Sequence, residues 1–168
     1  HMFTGIIEQL GEVVNITQEG ANYHFAISSG LESELYIDQS IAHNGVCLTV
    51  VNIADDHYIV TAIKETMDKT NLGKLAVGDF INLERASVSG KTRMDGHIVQ
   101  GHVDGTTICT HVEDLDGSWY FSFDLAPKDI PLLVSKGSVC VNGVSLTVVD
   151  PTMKNFKVAI IPYTYEHT

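Results

Sequence analysis

Asn44-Gly45-Val46-Cys47-Leu48-Thr49-Val50-Val51 and Asn142-Gly143-Val144-Ser145-Leu146-Thr147-Val148-Val149 are two versions of one segment. Over the wider windows 41–51 and 139–149, seven of eleven residues are identical at a constant offset of 98. Each copy opens on Asn-Gly, a pair that tolerates positive φ and therefore favours a tight turn. Apolar residues flank that turn on both sides, and the runs are too short and too β-branched to favour a helix. The 168 residues read as a chain built twice.

The surroundings of the first copy support a β architecture. Residues 3–14 hold Gly5-Ile6-Ile7 and then Gly11-Glu12-Val13-Val14, which predicts a strand bent at a glycine. Gln18-Glu19-Gly20-Ala21-Asn22 is a turn cluster, and Tyr23-His24-Phe25-Ala26-Ile27 alternates as its hairpin partner. Residues 30–40 are polar, with room for one helical turn. After the motif come a turn at 52–57, a strand at 58–63, a short helix or loop at 65–72 and an alternating strand at 77–84. Short strands with turn signals every eight to twelve residues, roughly, are the pattern of an all-β barrel or sandwich.

The second half repeats that order. Gly101-His102-Val103 stands where Gly5-Ile6-Ile7 stood, and Asp116-Gly117-Ser118 takes the place of the first turn. Phe121 and Phe123 are matched to Tyr23 and Phe25 at the offset of 98. A short helix is expected at 127–133, the motif again at 138–149, a strand at 156–161, and a match of 161–168 to 63–70. Nothing corresponds to 77–84. The expectation is two tandem units, 2–88 and 96–168, with 89–95 as the linker and the second unit short of its last strand. Such a unit leaves an unpaired edge. His1 ahead of Met2 reads as a cloning remnant.

Composition narrows the function. A net charge of −11 disfavours nucleic acid and anionic membrane surfaces, because phosphates would be repelled. No apolar run approaches the length of about 18 residues that a bilayer span needs. The start shows no basic region followed by an apolar core, so no secretory signal is expected. Cys47, Cys109 and Cys140 are an odd set without CxxC spacing, which points to reduced thiols and a cytoplasmic protein. His97 and His102 lie five apart with no cysteine pair near them, so no metal site is expected.

Several stretches carry a family likeness. Met2-Phe3-Thr4-Gly5-Ile6-Ile7-Glu8, Ala42-His43-Asn44-Gly45-Val46-Cys47-Leu48-Thr49, Lys64-Glu65-Thr66 with Thr70-Asn71-Leu72-Gly73, Gly96-His97-Ile98-Val99-Gln100-Gly101-His102-Val103 and Gly143-Val144-Ser145-Leu146-Thr147 together resemble riboflavin synthase of the alpha-chain type. The likeness runs in order from Met2 to Thr168. It implies two similar six-stranded Greek-key barrels. It implies that two molecules of 6,7-dimethyl-8-ribityllumazine dismutate by four-carbon transfer, giving riboflavin and a ribitylamino-pyrimidinedione, without metal or redox cofactor. It also implies a homotrimer whose catalytic site lies between the first barrel of one subunit and the second barrel of a neighbour. The family's final strand and assembly helix have no match in these residues, so this form is expected to be monomeric or swapped, and weakly active.

Such a reaction needs a base near neutral pKa to take a proton from the 7-methyl group of one lumazine, and histidine is suited to it. Donors must hold the ring carbonyls and developing charge. The resemblance implies His102 for proton transfer, with Cys47, Ser145 and Thr147 as the other catalytic candidates. His102 is otherwise a strand-surface histidine, but Ile6 at its counterpart shows that the fold does not demand it. His97 is expected as a structural or supporting residue. Cys47 is otherwise a small core residue; its counterpart Ser145 keeps the shape and changes the reactivity. Family contact segments fall on Gly5, Ile6 and Ile7; Ser40; Cys47, Leu48 and Thr49; Thr61, Ala62, Ile63, Lys64, Glu65 and Thr66; Gly101, His102 and Val103; Lys136; Ser145, Leu146 and Thr147; and Ala159, Ile160, Ile161, Pro162, Tyr163 and Thr164. Tyr165 is a further residue expected against the ligand. Asn142 departs from the family, which commonly has aspartate there. The competing reading is a non-catalytic lumazine- or flavin-binding paralogue; a generic β-barrel interaction module is the third.

Overall fold

The computed structural model describes residues 2–168; the remnant assigned to His1 lies outside the described residues. The first half contains β1 (Gln9–Glu19), β2 (Asn22–Ser28), β3 (Ser40–His43), β4 (Val46–Ile53), β5 (Tyr58–Ile63), α1 (Lys64–Lys69) and β6 (Phe80–Arg85). The second contains β7 (Cys109–Asp114), β8 (Trp119–Asp124), β9 (Ser138–Val141), β10 (Val144–Val149), β11 (Asn155–Ile160) and α2 (Pro162–His167). All strand pairs are antiparallel. The first six strands close into a Greek-key barrel in the order β1-β2-β5-β4-β3-β6, and the remaining five form a sheet β7-β8-β11-β10-β9. That second sheet has the order of the first, and among the described residues no sixth strand lies between its two edges.

The two motif copies form the β3–β4 and β9–β10 hairpins. Asn44 and Asn142 both take φ 49°, and Gly45 and Gly143 take 83° and 82°, so both central residues of each turn are left-handed. That twist matches the twist of the flanking strands. Along β4, Val46, Leu48 and Val50 are buried while Cys47 and Thr49 face outward, which follows from the two-residue period of a strand.

Two expectations shift. The strand predicted over 3–14 begins only at Gln9, because residues 3–5 leave the first half and pair with the second. Phe3 and Val99 exchange both backbone hydrogen bonds, at 2.7 and 3.0 Å. The match of Phe121 and Phe123 to Tyr23 and Phe25 slips by two. Tyr23 pairs with Ala62 as Trp119 pairs with Ile160, and the bulges at Val13/Asn15 and Cys109/His111 coincide only at an offset of 96. The extra residues lie between β8 and β9, where a 3-10 turn spans Pro127–Leu132 against Glu32–Glu34 in the first half.

Closure decides the core. The first barrel buries Val13, Phe25, Ile27, Ile41, Val50, Val60, Ile81 and Leu83 among others, whereas the second sheet buries only Phe123, Val148, Phe156, Val158 and Ile160. Val13 is fully buried, but Cys109 at the matching place is exposed, because no strand covers it.

The first core also holds a polar pair. His43 Nδ1–H donates to the carbonyl of Ile41 at 2.9 Å, and the Tyr58 hydroxyl donates to His43 Nε2 at 2.8 Å. Complete burial pushes the His43 pKa down to about 4. Val141 and Phe156 occupy the same places in the second half, so this pair is not required by the fold. The unfolded chain takes up its histidine proton near pH 6.5, and the folded chain resists it until about 4. Stability from this group is therefore whole above the first value and is lost as pH falls toward the second, by up to about 3 kcal/mol. Chemical denaturation across that range measures the loss, and His43→Val/Tyr58→Phe abolishes its histidine component. Tyr58→Phe alone costs about 1–3 kcal/mol, because His43 Nε2 is left buried without its donor. The double variant costs less than the two single changes together.

Candidate functional site

The two halves are joined by a reciprocal exchange. The N–H of Cys47 on β4 donates to the carbonyl of Gly101 at 3.0 Å, and the N–H of Ser145 on β10 donates to the carbonyl of Gly5 at 2.7 Å. Each half thus lays its opening segment on the motif strand of the other. Both glycines have positive φ, and a Cβ on Gly101 would lie 2.6 Å from the Cβ of Cys47, one on Gly5 2.6 Å from that of Ser145. No other residue type fits that approach. The buried Glu84 carboxylate anchors the first of these segments, accepting from Thr4 N–H, Thr4 Oγ1–H and Gly5 N–H at 2.7–2.9 Å.

This crossing sorts the expected site residues into two groups. On the first half, Cys47 and Thr49 face outward on β4, Ser40 lies opposite Thr49 on β3, and Thr61 and Ile63 face the same way on β5. Gly101 closes over Cys47, exposed His102 follows it, and Val103 packs against the first core. On the second half, Ser145 and Thr147 face outward on β10, with Gly5, exposed Ile6 and half-buried Ile7 against them. Ala159 and Ile161 are exposed around the end of β11, and Pro162, Tyr163 and Thr164 lie in α2. His102 and Cys47 therefore belong to one group, and Ser145 and Thr147 to the other.

Other expected residues point elsewhere. Leu48, Ala62 and Ile160 are buried in the two cores, and Leu146 packs against the second. Lys64 and Glu65 pair with Asp68 and Lys69 along exposed α1, where Thr66 also lies. Lys136 is exposed in a left-handed turn, with φ 67°. Tyr163 stacks on His167 and Tyr165 on Trp119, each at 4.1 Å.

The electrostatics favour neutral groups. Burial pushes the Cys47 thiol up, partly offset by a hydrogen bond with Ser40, so it stays protonated at neutral pH. Burial pushes Cys140 up to about 11. Burial lowers His97, whose Nδ1 lies 2.6 Å from Ser145 Oγ. A neutral imidazole at that distance can accept the hydroxyl proton, an arrangement of nucleophile and base. His97 was placed by sequence in a supporting role; the only signal for more was its membership of the Gly96–Val103 motif. Asn142 ties the halves together: Asn71 Nδ2 donates to its side-chain oxygen at 2.8 Å, and Asn82 Nδ2 to its carbonyl at 2.9 Å.

One concavity borders the first group of site residues, with His97 and Gly101-His102-Val103 in its wall, and runs from there into the second half. It is a slot of about 680 Å³ between β7 and β9, lined by Cys109, Phe123, Val139, Cys140 and Phe156. In the first barrel β6 fills that space. Among the described residues, no three His, Cys, Asp or Glu side chains are grouped to hold a metal, and no helix is long and apolar enough to cross a membrane.

Comparison with known proteins adds to this geometry. The family model "Lumazine binding domain" matches residues 4–86 and again 100–168. A riboflavin synthase of Bacillus amyloliquefaciens is 39% identical over 99% of this chain and 78% of its own length. The riboflavin synthase of Actinobacillus pleuropneumoniae is 36% identical over the same shares. The chain belongs to the riboflavin synthase family. LumP complexed with 6,7-dimethyl-8-(1'-D-ribityl) lumazine has the same fold, with a TM-score of 0.86 at 21% identity, covering 99% of this chain and 90% of LumP. LumP complexed with riboflavin gives 0.85 at 20% identity.

The three thiols of this family member differ in reactivity. Timed iodoacetamide labelling at neutral pH, read by peptide mass spectrometry, modifies exposed Cys109 first. Cys47 follows more slowly and Cys140 last, because burial withholds the thiolate from both.

Proposed function

We propose that this chain is a riboflavin synthase that dismutates two molecules of 6,7-dimethyl-8-ribityllumazine. A four-carbon unit passes from one to the other, giving riboflavin and 5-amino-6-(D-ribitylamino)uracil. The two products contain all the atoms of the two substrates, so the reaction has no call on a redox cofactor. The observation that carries this reading is the 36–39% identity to riboflavin synthases along nearly the whole chain. The paired glycine contacts on Cys47 and Ser145 support it, because they create two similar surfaces where two similar flat rings can lie close to backbone.

In this reading, residues 2–88 and 96–168 are tandem-repeat lumazine-binding units, with 89–95 linking them. The outward face of β4 holds one substrate, with Ser40, Cys47 and Thr49 beneath the ring and Gly101-His102-Val103 over it. The outward face of β10 holds the other, with Ser145 and Thr147 beneath and Gly5-Ile6-Ile7 over it. His102 moves the proton from the 7-methyl group. Ser145 adds through Oγ to C7 of the acceptor lumazine as His97 takes the hydroxyl proton, and the Oγ–C7 bond breaks again, with return of that proton, before riboflavin is released. Cys47, held as a thiol, positions rather than attacks. Donor and acceptor meet where the first half-site of one chain faces the second half-site of a neighbour, as the resemblance implies for the family's cytoplasmic homotrimer.

The test is direct. The chain is mixed with 6,7-dimethyl-8-ribityllumazine, and the rise of riboflavin absorbance is followed. Binding without turnover would sink the enzyme reading and favour a lumazine-binding paralogue. Ser145→Ala and His97→Gln each lower kcat about a hundredfold while leaving the melting temperature unchanged. Because burial lowers His97, its neutral form persists below pH 6.5, and the acid limb that His97 contributes to kcat lies under that value.

A further inference from the structure

The outward face of the first barrel carries a polar row beyond the residues assigned so far. Ser40 pairs with Thr49, and the pairing of Val50 with Val60 sets Thr49 beside Thr61. Thr61 pairs with His24 on β2. His24 Nδ1 lies 2.8 Å from Thr61 Oγ1, and His24 Nε2 lies 3.0 Å from a carboxylate oxygen of Glu19. Ser40 is buried at one end of the row, Thr49 is exposed, Thr61 and His24 are half-buried, and the Glu19 side chain at the far end is 84% exposed.

The chemistry of the row has one consistent polarity. A carboxylate only accepts, so His24 Nε2 carries the hydrogen that points to Glu19. In the neutral ring Nδ1 is then a lone pair, and the Thr61 hydroxyl donates to it. The Thr61 oxygen is left as an acceptor, facing the surface where the ring of a bound lumazine would lie. The ring belongs at the end closed by Gly101. A hydrophilic side chain on it belongs at the open end, beside Thr61.

The second half has no such device. Tyr120 stands at the place of His24, with the Lys157 ammonium 5.8 Å over its ring, and Ala159 stands at the place of Thr61. The surfaces around Cys47 and Ser145 share Thr49/Thr147 and Ser40/Ser138, and they part at this pair.

We propose that His24, backed by Glu19, is a positioning residue that holds the Thr61 hydroxyl as a hydrogen-bond acceptor for a hydroxyl of the ligand's polyol chain, at the first half-site only. This rests on the assignment of that face to a lumazine. It distinguishes two sites that receive the same compound, so that one grips the polyol where the other does not.

The experiment titrates 6,7-dimethyl-8-ribityllumazine into the full chain by its fluorescence, alongside the same ring carrying an alkyl chain in place of the ribityl group. Thr61→Val and His24→Ala each weaken the ribityl compound about tenfold in one of two binding phases. The double variant is no worse than Thr61→Val. His24→Asn, whose side-chain oxygen reproduces the acceptor at Nδ1, restores most of the affinity. The alkyl compound binds all variants alike, provided each melts like the parent. Additive losses, equal losses for the alkyl compound, or affinities within twofold of the parent overturn the role of His24. A parent chain that binds neither compound overturns the lumazine assignment itself, and this proposal with it.

Discussion

Two peptide hydrogen bonds, from Cys47 to Gly101 and from Ser145 to Gly5, set the geometry on which the rest depends. Each contributes only about 1 kcal/mol net, so their importance is not energetic. They require backbone to lie against backbone with no Cβ between, and that requirement fixes glycine at both positions. Once the glycines are in place, the residues after them have no freedom of destination. His102 and Val103 must lie over the first barrel, and Ile6 and Ile7 over the second sheet. A site assembled in this way takes half its walls from the half of the chain that does not carry its floor.

Much of the fold was legible because strands and turns are local. Asn-Gly between apolar runs gave both hairpins, and alternation gave the inward and outward faces of β4 and β10. The missing partner of 77–84 was legible as well, since a repeat reveals what one copy lacks. The long-range crossing was not. Phe3-Thr4-Gly5 has the composition of a strand start, and nothing in it says that its partner is Val99 rather than Leu83. The slip from 98 to 96 was hidden for a related reason: aromatic residues two apart on β8 satisfy either alignment, and only the pairing of Trp119 with Ile160 separates them.

Site residues were legible by segment and not by side chain. Leu48, Ala62 and Ile160 share segments with Cys47, Thr61 and Ala159, yet the two-residue period turns them into the cores. His97 was underrated because its partner, Ser145, is 48 residues away. The halves also diverge where no surface demands it. His43 with Tyr58 fills the volume that Val141 and Phe156 fill in the other half, which shows that one frame tolerates a buried polar pair or an apolar one, provided the pair is complete.

The crossing has a consequence for how the chain comes to be folded. Residues 9–85 hold every strand of the closed barrel, so that barrel can form as soon as β6 has left the ribosome. The opening segment cannot finish then, because Val99 and Ser145 are still to be made. Glu84, on the last strand of the barrel, already offers its carboxylate to Thr4 and Gly5 at that moment. It parks the N-terminal end in its final place, as a template laid out in advance, and the second half is then synthesised onto a surface that is waiting for it.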